Sequence, residues 1–290
     1  MALTNRREFF QQSLALGAAA ALPAIAWPAG VRRASDVFEI GPTKLKVSRM
    51  TMGSGTFGAG HSSNQMRKLG AQGLADLWWN AFDNGVFVWD TADAYGTHAA
   101  VKAALSSKRM PREKVTISTK TSARDGADMK ASLDRFLQEM GTDYIDVVLL
   151  HSRMSPKWDE LDKPVMDVLS EAKAAGKVRA LGISCHSLDA MRVAAKSPWL
   201  DVCLCRINSA GVRMDAPVDQ VLPLLADLKA NGKGVLGMKT LGEGQLRDQI
   251  DDALRFAVTK EAVHTFSIGV ESRDELKDLL ERIPKVSQPA

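Results

Sequence analysis

The sequence predicts an α/β fold, a single (β/α)8 TIM barrel preceded by a short N-terminal hairpin. Short apolar runs alternate with longer amphipathic segments along the chain, the pattern of parallel strands with helices packed outside them. The runs are continuously apolar rather than alternating, as strands buried on both faces require. Eight strand–helix units within about 240 residues match the size of one such barrel. A doubly wound sheet is the alternative arrangement of the same alternation.

The elements follow in order. FEIGPTKLKVS reads as a hairpin with Gly41-Pro42 at its turn. The first barrel strand covers 49–52 and leads into the glycine-rich MGSGTFGAG. The second, 86–90, is apolar until it ends in Asp90. VTISTK supplies the third at 115–119, and YIDVVLLH the fourth at 145–150. Strands at 178–183, 202–205, 234–238 and 265–268 complete the set, the last followed by IGVESRDEL. Amphipathic segments near 69–84, 96–106, 127–141, 160–175, 187–196, 217–231, 246–259 and 271–282 are the helices between and after them.

Composition narrows the function classes. The chain has 290 residues, 45% hydrophobic and 25% charged, with a formal charge of +4. Lys and Arg are interspersed with Asp and Glu, so no basic face marks a nucleic-acid partner. The three cysteines, Cys185, Cys203 and Cys205, offer neither a disulfide framework nor a set of zinc ligands, and read as buried thiols. No metal site is expected.

Residues 1–35 read as a targeting segment and linker, and 36–290 as the barrel. Arg6-Arg7 precede Phe9-Phe10, an Ala/Leu-rich stretch without acidic residues follows, and Ala24-Ile25-Ala26 has the form of a cleavage site. The paired arginines resemble a twin-arginine signal, which implies export through the twin-arginine machinery and a periplasmic protein with no stable membrane insertion of the mature chain. An uncleaved signal anchored in the inner membrane is the alternative. Free thiols in an exported protein fit folding in a reducing compartment before export.

The barrel makes a chemical prediction, because sites on this fold lie at the C-terminal ends of the strands. Asp90 ends the second strand, Lys120 the third and His151 the fourth, with Tyr95 just beyond Asp90 in WDTADAYG. A carboxylate, an ammonium, an imidazole and a phenol thus meet at one mouth. Asp90 pairs with Lys120, offsetting the desolvation of both. The ammonium is expected to pull the Tyr95 pKa downward, and His151 to bond the tyrosine or the substrate oxygen. Tyr95 then serves as general acid/base at a carbonyl. Asp93 reads instead as a cap or surface residue. Read without further context, Lys120 also suits a Schiff-base lysine in an unrelated barrel enzyme.

With these motifs in place, the chain resembles the aldo-keto reductase superfamily over about residues 37–283. KLKVSRMTMGSGTFG is similar to its first-strand signature, and DTADAYG, STK and LLH match its tetrad at Asp90, Tyr95, Lys120 and His151. The resemblance implies a nicotinamide-dependent oxidoreductase acting on a small aldehyde, ketone, sugar or alcohol. It also implies cofactor contacts at Gly55-Thr56-Phe57 and Ser184. Cys185 stands where an Asn is usual, and no Gln is evident in VCLCRINS. In GMKTLGEG, Met238 and Lys239 replace a stacking Tyr, with the amides of Leu241, Gly242 and Gly244 as a pyrophosphate cradle. Ser272 and Arg273 suit an adenosine 2′-phosphate, so NADP is favoured, while Glu271 suits the free hydroxyl of NAD. Trp158 is the candidate pocket wall. The altered nicotinamide residues keep a second function open, a non-catalytic cofactor-binding barrel acting as a sensor or subunit of an envelope complex.

Overall fold

The structure, a computed structural model, describes residues 30–288. The targeting-signal reading, Arg6 to Ala26, lies outside the described residues. The chain divides into units over Met1–Val31 and Arg32–Ala290, and the second carries the fold.

A hairpin, β1 (Val37–Ile40) and β2 (Leu45–Ser48), pairs Ile40 with Leu45 across a turn. Then β3 (Met50–Gly53), β4 (Val88–Asp90), β5 (Thr116–Thr121), β6 (Ile145–Arg153), β7 (Val178–Cys185), β8 (Val202–Arg206), β9 (Gly234–Met238) and β10 (Thr265–Gly269) close a parallel barrel in sequential order. The helices are α1 (Asn64–Asp83), α2 (His98–Ser106), α3 (Gly126–Met140), α4 (Trp158–Leu161), α5 (Lys163–Ala174), α6 (Leu188–Lys196), α7 (Val218–Ala230), α8 (Ile250–Thr259) and α9 (Arg273–Val286). The doubly wound alternative is therefore set aside. Gly53, Gly55 and Gly58 do have the Gly-x-Gly-x-x-Gly spacing, yet no helix opens on them; α1 starts at Asn64. That helix begins earlier than its hydrophobic period indicates, because a first turn capped by Ser63 precedes a break at Gly70 (φ 63°).

Two cores separate cleanly. Strand residues facing out, such as Trp89, Ile117, Leu181, Ile183 and Cys203, join the helices in a large apolar layer, where Trp78 stacks on Trp89 at 4.9 Å between centroids. Residues facing in, Val88, Val147, Leu149, Ala180, Val202, Leu204 and Leu236, form a smaller core, which Ile40, Leu45 and Val47 of the hairpin join. The period of two along each strand carries this inward set to the other mouth. Two residues beyond Val88 is Asp90; two beyond Leu149 is His151; two beyond Leu204 is Arg206. No helix among the described residues is long and apolar enough to cross a membrane.

Candidate active site

Asp90 and Lys120 lie on neighbouring strands. The Lys120 ammonium donates to Asp90 Oδ1 at 2.7 Å and to the Thr91 carbonyl at 2.7 Å, with the lysine fully buried. Tyr95 sits on a single helical turn, Asp93–Tyr95, closed by Gly96 in the left-handed region (φ 65°). Its hydroxyl is 3.4 Å from His151 Nε2, and Lys120 Nζ is 5.0 Å from its ring centroid. Asp93 is neither a cap nor a bare surface residue. Arg135 of α3 grips its carboxylate with two bonds of 2.8 and 2.9 Å and so ties down the turn that carries Tyr95.

The electrostatics differ from expectation at one point. Burial pushes the Tyr95 phenol above its usual 10.0, with Asp90 adding to the rise and Lys120 opposing it, so the net direction is up rather than down. Burial alone would lower Lys120, but the Asp90 and Tyr95 charges and the Asp90 hydrogen bond raise it. His151 is held down to about 3 by burial and then by Lys120, and is a neutral imidazole at neutral pH.

His151 has its own support. Ser152, just after it, takes φ 57° in an irregular stretch of the β6–β7 register. Arg153 donates to the His151 carbonyl at 2.6 Å while bound through two nitrogens to the buried Asp162. Phe57, His61, Arg213, Lys239 and Glu243 also take positive φ and follow the C-terminal ends of β3, β8 and β9, whereas Lys44, Lys108 and Glu261 lie elsewhere. Backbone strain thus gathers at the mouth that bears the tetrad.

A cavity of about 570 Å³ runs from Asp90, Tyr95 and Lys120 to the loops after β9 and β10. Gly55, Thr56, Phe57, Met238, Lys239, Leu241, Gly244 and Glu271 line it. Ser184 faces inward, fully buried, and its Oγ has no partner; it is registered beside Leu204, which lines the cavity. Cys185 faces outward into the helical layer, with its Sγ 3.5 Å from that of Cys203.

Several expected residues are placed otherwise. Gly242 and Gly244 donate their amides to the carbonyls of Lys239 and Leu241, so those amides close a turn instead of lining a cradle. Lys239 is paired with Glu243, which also takes Arg213 at 3.2 Å. Ser272 caps α9 by accepting from the Glu275 amide at 3.1 Å, and Arg273 is exposed and off the cavity. Glu271 and Glu275 line the cavity, with Glu271 paired to Lys68. Trp158 does not line it; the indole is buried under α6, donates to the Ala190 carbonyl at 3.2 Å and lies 6.2 Å from Trp199. The exposed aromatic at the cavity is Phe57.

Sequence reasoning missed the Arg153–Asp162 pair, Gly58 and the pairing of Arg206 with Asp215 at 3.0 Å. Only two of these had a readable signal: Arg206 by its inward period, and Gly58 as the third glycine of GSGTFG.

Residues 49–282 match the aldo/keto reductase family. The chain belongs to the aldo/keto reductase family. Among its relatives, a protein of Escherichia coli K12 named NADH-specific methylglyoxal reductase is 28% identical over 221 residues, 63% of this chain and 67% of that one. Methylglyoxal reductase DkgB of Escherichia coli O157:H7 is 30% identical over 174 residues, 59% and 62% of the two chains. L-galactose dehydrogenase of Arabidopsis thaliana is 25% identical over 226 residues, 72% and 66%. The aligned parts thus span about two thirds of these relatives' lengths. In fold, this aldo/keto reductase family member is similar to an aldo-keto reductase structure from Pseudomonas aeruginosa (TM-score 0.71, 22% identity, 90% of this chain and 100% of that one). It is also similar to one from Bacillus halodurans (TM-score 0.67, 17% identity, 88% and 97%). Family membership, with reductase-named relatives, supports a carbonyl–alcohol oxidoreductase.

Proposed function

We propose that this chain reduces small carbonyl compounds with a nicotinamide dinucleotide, using Tyr95 as the proton donor and NAD(H) as the favoured coenzyme. The convergence of Asp90, Tyr95 and Lys120 on the end of one cavity, with His151 Nε2 3.4 Å from the Tyr95 hydroxyl, carries the reading. The phenol holds its proton at neutral pH, as a general acid toward a carbonyl oxygen must. Lys120 places a positive charge beside the phenolate left behind, and neutral His151 orients the hydroxyl without adding a competing charge.

The residues fit a dinucleotide. The cavity has the volume of a cofactor site, and the buried, partnerless Ser184 hydroxyl offers a hydrogen bond beside it. Ser184, Met238 and Thr56 would hold the nicotinamide half, which when bound supplies the hydride. Glu271 and Glu275 would meet the adenosine end. Glu271 is paired to Lys68 and Glu275 accepts from the Glu271 amide at 2.7 Å; their remaining carboxylate oxygens would accept bonds from ribose hydroxyls and disfavour a 2′-phosphate. With Ser272 committed to its helix cap, they favour NAD over the NADP expected from sequence. The relative named NADH-specific points the same way.

Titration of NADH and NADPH, followed by tryptophan fluorescence, tests this. NADH should bind more tightly, by about tenfold or more, equal to about 1.4 kcal/mol. Glu271→Ser should narrow the gap; equal affinities in the parent would refute the preference. Tyr95→Phe should abolish most turnover of methylglyoxal and other small aldehydes while leaving nucleotide binding unchanged. Unchanged turnover would favour the non-catalytic barrel. We also propose export of the folded chain by the twin-arginine route, with nucleotide bound. Cell fractionation, followed by nucleotide analysis of the periplasmic protein, tests it; a cytoplasmic location or nucleotide-free periplasmic protein would refute it.

A further inference from the structure

We propose that Gly58 is a positioning residue for Tyr95: with Gly55 it forms a side-chain-free clasp that holds the phenol ring against Lys120 and His151. The inference rests on the reading of Tyr95 as proton donor. A Cβ built on Gly58 would meet Tyr95 Cε1 at 2.8 Å and Cδ1 closer still. One built on Gly55 would meet Tyr95 Cδ2 at 2.7 Å, and Cε2 and Cζ closer still. The two glycines therefore lie against the two edges of one ring. Neither has a positive φ, so the backbone does not demand glycine at either place; the tyrosine does. Gly60, two residues on, is the reverse case, with φ 58° and nothing within 4 Å of its built Cβ.

The clasp is stiff. The Gly58 amide donates to the Gly55 carbonyl at 3.0 Å, closing a four-residue turn. The buried Gln65 accepts from the Thr56 amide at 3.2 Å and donates to its hydroxyl at 2.7 Å. The Asn64 amide donates to the Thr56 carbonyl at 2.9 Å. His61 Nδ1 lies 3.0 Å from the Asp93 carbonyl, joining this loop to the turn that carries Tyr95. A methyl group at residue 58 therefore pushes the ring rather than the loop. The titratable groups facing the phenol are Lys120 on β5, Asp90 on β4 and His151 on β6, and the clasp adds none. What the clasp contributes is exclusion of water and a fixed distance to these three.

Tyr95 and Tyr144 are the only tyrosines in the chain, so Tyr144→Phe leaves Tyr95 as the sole source of tyrosinate absorbance. In that background the tyrosinate absorbance is titrated for the parent, Gly58→Ala and Gly60→Ala, alongside kcat and nucleotide affinity. Gly58→Ala should move the ionisation midpoint down toward 10.0 and lower kcat by about tenfold or more, with nucleotide affinity unchanged. Gly60→Ala strains the same loop but should leave the midpoint in place. An unmoved midpoint in Gly58→Ala, or equal shifts in both variants, would overturn the proposal. Stability provides the second reading: Gly58→Ala should be destabilising with Tyr95 present and neutral beside Tyr95→Ala, and an equal cost in both backgrounds would refute the clasp. Retained turnover in Tyr95→Phe would remove the catalytic reading, while the titration and the stability pair still decide the clasp.

Discussion

Lys120→Met is the sharpest probe of how the tetrad is held. The ammonium makes two bonds of 2.7 Å, to Asp90 Oδ1 and the Thr91 carbonyl, with side-chain exposures of 1% for the lysine and 10% for the aspartate. Removing the cation leaves a nearly buried carboxylate without its counter-charge, a loss of about 3–5 kcal/mol for pairs of this kind. At about 2–4 °C per kcal/mol for a domain of this size, the melting temperature should fall by about 6–20 °C. In Asp90→Asn/Lys120→Met no uncompensated charge remains, and most of the loss should return. Denaturant unfolding of the parent, the single and the double variant, followed by circular dichroism at neutral pH, measures both quantities. A single variant within about 1 kcal/mol of the parent, or a double variant no more stable than the single, would refute the argument. The pH dependence has a defined sign. Lys120 is raised above 10.5 in the fold, so its contribution is whole below 10.5 and is lost as pH climbs through the folded value. Lys120→Met should lack that alkaline decline.

Three further outcomes follow from the same geometry. Arg153→Lys gives up the two-nitrogen grip on Asp162 and the bond to the His151 carbonyl, so kcat should fall by about tenfold to a hundredfold while nucleotide affinity holds; steady-state kinetics beside nucleotide titration check this. His98, His151, His186 and His264 are all depressed below 6.5, with burial the leading cause, and His151 and His186 lie near 3 and 4. The unfolded chain takes up those protons first, so stability should drop as pH falls from 6.5 toward 4, read as a falling urea midpoint; a flat profile would contradict it. Cys185, Cys203 and Cys205 are free and fully buried, so a thiol reagent should count none in the native protein and three after unfolding.

The barrel was legible because its determinants are local. Apolar runs set the strands, and the strand over 234–238 is found as expected. Ends moved by a few residues where a bonded partner decided them: β6 continues to Arg153, which pairs with Cys185 of β7. The clustering of Asp90, Lys120 and His151 at one mouth was legible for a related reason, since a polar residue ending an apolar strand on this fold faces the mouth. Trp158 misled because a bulky aromatic after a strand suits a pocket wall and a core equally, and the choice depends on where α6 packs.

By itself, then, the sequence determined the alternating strand and helix order, the inward period that aligns Asp90, Lys120 and His151, and the family motifs around Tyr95. Only the tertiary structure decided the surroundings of those groups. It buries the phenol enough to outweigh the neighbouring ammonium, which reverses the direction of its pKa. It commits Ser272 to a helix cap and brings Glu275 to the same end of the cavity as Glu271. It lays Gly55 and Gly58 on the Tyr95 ring across about 40 residues of chain. Burial, capping and close approach each depend on which distant segment occupies the adjacent space, and closure of the barrel fixes that.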